Sequence, residues 1–85
     1  MKVLIIEDEP LAAEKLAAYL LRHQPDAQII AQLSSVAQVV DFFSNNTQAA
    51  SLELIFSDVE LTDGQVFTAL EQLDLPCPVL FTTAY

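Results

Sequence analysis

At 85 residues the chain is one domain at most, and a hydrophobic fraction of 53% is enough for a packed core and too high for a disordered segment. Twelve acidic against three basic residues leave a net charge of -9. That balance argues against direct nucleic-acid binding and against an anionic membrane surface, since both need Lys and Arg. One cysteine, Cys77, excludes an internal disulfide and a Cys-based zinc cage, and one glycine, Gly64, excludes a glycine-rich phosphate cradle. No apolar run approaches the ~20 residues of a membrane span, and the N-terminus runs into acids instead of a signal peptide. The expectation is a small, acidic, cytoplasmic globular unit.

Lys2-Val3-Leu4-Ile5-Ile6 opens the chain as a continuous apolar run, the pattern of a strand buried on both faces of a parallel sheet. Glu7-Asp8-Glu9-Pro10 stops it, with acids and a proline suited to a helix start. From Leu11 to His23, Ala12, Ala13, Leu16, Ala17 and Leu20 recur at helical spacing, while Glu14, Lys15 and Arg22 lie opposite. Gln24-Pro25-Asp26 breaks this helix, and Gln28 to Gln32 reads as a second strand. Ser34 or Ser35 caps a second helix with Val36, Val39, Val40 and Phe43 as its inner face. Ser44 to Ser51 is polar and reads as a loop. Leu52 to Phe56 forms a third strand that delivers Ser57-Asp58 at its carboxyl end. After a turn through Thr62-Asp63-Gly64, Val66, Ala69, Leu70 and Leu73 make a third helical stripe. Val79-Leu80-Phe81-Thr82 is a fourth strand. His23 and Cys77 read as structural, one in a helix's last turn and the other packed between two prolines.

Alternating strands and helices imply right-handed parallel crossovers, with helices covering the sheet. Ligands of such sheets bind beyond the carboxyl ends of the strands, near the point where strand order reverses. The groups at those ends are Glu7-Asp8, Asp58 and Thr82-Thr83. Alone, each has an ordinary role: acids at a helix start, an Asp in a turn, threonines in a strand. On one rim they become a cluster of carboxylates and a hydroxyl. Clustered carboxylates repel unless a cation sits among them, and an all-oxygen set suits Mg²⁺. A carboxylate beside Mg²⁺ can act as a nucleophile and form an aspartyl phosphate. Asp58, at the tip of a hydrophobic strand, is best placed for that, and a neighbouring rim hydroxyl such as Thr83 could hydrogen-bond the product.

Three segments carry a family resemblance: Val3-Leu4-Ile5-Ile6-Glu7-Asp8-Glu9-Pro10, Leu54-Ile55-Phe56-Ser57-Asp58-Val59-Glu60-Leu61 and Val79-Leu80-Phe81-Thr82-Thr83-Ala84-Tyr85. In order and spacing they resemble the receiver domain of bacterial two-component response regulators. Asp58 through Gly64 and Phe81 through Tyr85 look most like the branch with a LytTR-type DNA-binding output domain. The resemblance implies an α/β, flavodoxin-like (CheY-like) doubly wound sheet, with residues 1–85 as the N-terminal part of the receiver. It implies that Asp58 accepts phosphate from a sensor histidine kinase. It further implies that Asp8 and Asp58 bind Mg²⁺ directly, Glu7 binds it through water, and the Glu60 backbone carbonyl supplies a further ligand. Thr83 would hydrogen-bond the phosphoryl group and switch on activation.

Thr62 stands where many receivers have Pro, and Gly64 comes early after Asp58, although both occur in the suspected branch. The family's last strand, its phosphate-pairing Lys, its switch aromatic and its last two helices have no counterpart in these residues. The expectation is therefore an incomplete fold, whose fourth strand is an open edge prone to self-association or domain swapping. Two other readings stand beside the phosphoacceptor: a pseudo-receiver that signals without phosphorylation, and a Mg²⁺-dependent phosphohydrolase with Glu60 as general acid.

Overall fold

The computed structural model describes residues 1–45, 47–61 and 63–82. Four parallel strands, β1 (Lys2–Ile6), β2 (Gln28–Leu33), β3 (Leu54–Asp58) and β6 (Val79–Thr82), form one sheet in the order β2-β1-β3-β6. The chain leaves β1 for β2 on one side, then crosses back to β3 on the other. The switch point is thus between β1 and β3, where Val3 to Ile6 pair with Leu54 to Ser57. Helix α1 (Pro10–His23) covers one face, and α2 (Val36–Asn45) and α3 (Val66–Glu71) cover the other.

The alternation of β1 divides the core in two, because successive side chains of a strand point to opposite faces. Val3 and Ile5 pack with Ala13, Leu20 and Ala27 under α1. Leu4 and Ile6 pack with Val39, Phe42, Ile55, Val66 and Leu70 under α2 and α3. A strand covered on both sides explains why the apolar run is unbroken.

Helix α1 follows its sequence pattern: Pro10 occupies the first turn, and Ala13 and Leu20 are buried. Glu9 is the N-cap, but its side chain makes no capping bond. His23 lies in the last turn, its ring 4.4 Å from that of Tyr19. In α2 the inner face is rotated from the one read in the sequence. Val39 and Phe42 are buried, whereas Val40 is 43% exposed. The stripe is centred near Val39, so Phe42 swings under the helix and Val40 swings toward the open groove beside α3.

Two further segments differ from the sequence reading. The polar stretch after Phe43 is no open loop: α2 runs to Asn45, and Thr47–Ser51 makes a 3₁₀ turn that buries Ala49. Between β3 and α3, Glu60–Leu61 (β4) pairs antiparallel with Gly64–Gln65 (β5). This ribbon needs Gly64, whose φ of 146° lies where side chains are strained. Cys77 is half-buried, and burial pushes its thiol pKa up. No helix among the described residues is long and apolar enough to cross a membrane.

The rotated face of α2 has a measurable consequence. Phe42→Ala should cost about 3 kcal/mol, as for other buried aromatic truncations, whereas Val40→Ala should cost less than about 1 kcal/mol. Urea unfolding of the two variants checks the order.

Candidate functional site

The acids read as a rim cluster do meet. Glu7 and Asp8 leave the end of β1, and Asp58 ends β3, the adjacent strand. Each offers a carboxylate oxygen, and the three oxygens lie within 4.8 Å of one another, with all three residues half-buried. The geometry follows from backbone pairing: Ile6 stands opposite Ser57, so the next residues of both strands emerge side by side.

The rim is held by hydrogen bonds from its own backbone. The Glu7 N–H donates to the Leu33 carbonyl at 2.9 Å, tying the end of β1 to the end of β2. The Glu9 N–H donates to Glu7 Oε2 at 3.1 Å. Asp58 Oδ1 accepts from the N–H of the next residue, Val59, at 2.8 Å. Beneath it, fully buried Ser57 donates its hydroxyl to the Asp58 carbonyl at 2.8 Å. Asp58 therefore has a fixed backbone and a partly engaged carboxylate.

Electrostatics follow the crowding. Partial burial pushes the Glu7 carboxyl above its ordinary range. The bond from the Glu9 N–H opposes this, and the carboxyl groups of Asp8 and Asp58 add to it. Such a set of oxygens, held close and short of positive charge, has the donor chemistry of a hard divalent cation site. Thr83 lies outside the described residues. Glu60 falls in β4, two residues beyond Asp58, and the backbone of Thr82 is paired opposite Asp58 across β6.

One functional feature escaped the sequence reading. Asp63, read there as a turn residue, places its carboxylate against the start of α2: Oδ1 accepts from the Val36 N–H at 2.8 Å and Oδ2 from the Ala37 N–H at 3.1 Å. Ser35 caps the same helix, its Oγ accepting from the Gln38 N–H at 3.1 Å. The two Asp63 bonds hold that carboxyl below its usual range. The available signal was an Asp beside a glycine in a hairpin tip, which has no local hint of a distant partner.

The raised pKa of Glu7 carries a sign. A carboxyl whose folded-state pKa lies above its unfolded value destabilises the fold where it is charged in both states, and that penalty fades as pH falls through the folded pKa. Without divalent metal, Glu7→Gln should therefore stabilise the protein slightly at neutral pH, since solvent screens a half-exposed group. The advantage should vanish in acid. Urea unfolding of both proteins in EDTA at neutral and acidic pH checks it.

Comparison with known proteins places this rim in context. No family model matches the chain. Sensory transduction protein LytT of Enterococcus faecalis is 38% identical over 88 residues, covering 100% of this chain and 34% of that protein. LytT of Bacillus anthracis is 30% identical with the same coverage. The chain thus spans about a third of the length of the curated relatives it matches. Among solved structures, a mutant MaeR response regulator bound to sulfate superposes with a TM-score of 0.80 at 21% identity, over 99% of this chain and 67% of that one. The response regulator PhyR from Brucella abortus gives 0.77 at 22% identity, over 99% and 33%. The chain has the CheY-like fold of response-regulator receiver domains and is similar along its whole length to LytT sensory transduction proteins.

Proposed function

We propose that this chain is the phosphoacceptor part of a response regulator, with Asp58 taking a phosphoryl group from the phosphohistidine of a sensor kinase. The observation that carries the reading is the convergence of Glu7, Asp8 and Asp58 at the switch point of the sheet. Asp8 and Asp58 would hold Mg²⁺ directly, Glu7 through water, and the Glu60 carbonyl would complete the protein ligands. Bound there, the ion would neutralise the acids and the incoming phosphoryl oxygens.

The chain's own residues do the rest. A carboxylate oxygen of Asp58 attacks phosphorus as the bond to the donor imidazole breaks, and the imidazole nitrogen leaves with the electron pair and picks up a proton. Asp58 is suited to this because the buried Ile55 and Ser57 hold its strand and the Ser57 hydroxyl pins its carbonyl. Thr83 would then hydrogen-bond the acyl phosphate, and its movement would alter the surface around β6. That surface already presents Leu80 and Phe81, 50% and 42% exposed, as apolar side chains for a changed partner. MaeR has been solved bound to beryllium trifluoride, which supports a phosphoryl-like ligand on this fold. The relatives' name as sensory transduction proteins supports a signalling role.

Acetyl phosphate and Mg²⁺ should add one phosphoryl group to the full-length protein by intact mass, and Asp58→Asn or EDTA should abolish the addition. Failure of the wild type to gain mass, or equal labelling of Asp58→Asn, overturns the reading.

A further inference from the structure

Past Asp58 the chain folds into the β4–β5 hairpin, in which Glu60 pairs with Gln65 and Leu61 with Gly64. Leu61 and Val66 root it in the core below α2 and α3. Its tip is held differently. Asp63 reaches back 27 and 26 residues in sequence to the Val36 and Ala37 N–H groups. These belong to the first-turn donors that a helix cannot satisfy itself, and the helix dipole favours a negative charge beside them. The hairpin tip also lies beside α2, where a Cβ on Gly64 would make ordinary contact with Val36 Cγ2 at 3.7 Å.

The start of α2 is in turn tied to the acidic rim. Ser34 and Ser35 join it to β2, whose last residue, Leu33, accepts the Glu7 N–H. A continuous path therefore runs from Glu7 through Leu33, the start of α2 and Asp63 into the hairpin that follows Asp58. Within that path Gln38 Oε1 holds the Ser34 N–H at 2.7 Å, and the Asp63 carboxylate makes the side-chain link from α2 to the hairpin.

We infer that Asp63 is a positioning residue, fixing the β4–β5 hairpin against α2 and thereby the geometry of the acidic cluster. Its effect on metal affinity rests on the Mg²⁺ reading proposed above; its effect on the hairpin does not. The test compares full-length wild type, Asp63→Ala, Asp63→Asn and Ser35→Ala. Ser35→Ala removes a cap from the same helix without touching the hairpin. Without metal, Asp63→Ala should speed amide exchange about fivefold at Val59 to Leu61 as well as at Val36 and Ala37. Asp63→Asn, which keeps one acceptor oxygen, should fall between it and wild type. Ser35→Ala should affect α2 alone. In Mg²⁺ titrations by calorimetry, Asp63→Ala should weaken binding about tenfold, as loss of an outer-shell support does, while Ser35→Ala stays within about twofold. Hairpin exchange unchanged in Asp63→Ala, or Mg²⁺ affinity equal to that of Ser35→Ala, overturns the positioning role. A wild type that binds no Mg²⁺ sinks the metal reading, and hairpin exchange then decides the role of Asp63 by itself.

Discussion

Parallel pairing of β1 with β3 brings the ends of two strands together and, with them, three carboxylates. Strands of a parallel sheet all point their carboxyl ends to one rim, and at the switch point no crossover chain passes over the gap between them. Any acids that follow β1 and end β3 must then share a space a few ångströms wide. The packing below enforces this, since Val3, Leu4, Ile5 and Ile55 are wholly buried and leave the strands no freedom to slide apart.

That constraint has a cost, because like charges in a partly buried rim disfavour each other. Glu7 bears it visibly in its raised pKa. The fold offsets it locally with N–H donors, from Glu9 to Glu7 and from Val59 to Asp58. Those bonds leave the three carboxylates within 4.8 Å of one another, an all-oxygen set with the donor chemistry of a hard cation. Farther out, the same device recurs with different purpose. Asp63 takes two donors of α2, and its charge is spent on joining a hairpin to a helix.

Much of this was legible in the sequence because it is local. The unbroken run from Val3 to Ile6, the helical stripe of Ala13 and Leu20, and the stop at Glu7-Asp8 each report their own surroundings. The meeting of Asp8 with Asp58 was reachable by one topological rule. What was not legible depends on contacts between elements. Val40 and Phe42 are equally apolar, and only the seat of α2 against the sheet buries the second. The polar residues Thr47 to Ser51 curl into a 3₁₀ turn around Ala49, a small residue that gives little periodic signal. The grip of Asp63 on Val36 spans 27 residues and has no local signature.

The central claim is that the rim formed by Glu7, Asp8 and Asp58 takes a divalent cation and a phosphoryl group together. Fluorine NMR of the full-length protein with beryllofluoride tests it most directly. The account predicts a bound fluoride signal that appears only when Mg²⁺ is present and is lost in Asp58→Asn. A bound signal without Mg²⁺, one that survives Asp58→Asn, or none under saturating conditions would contradict it.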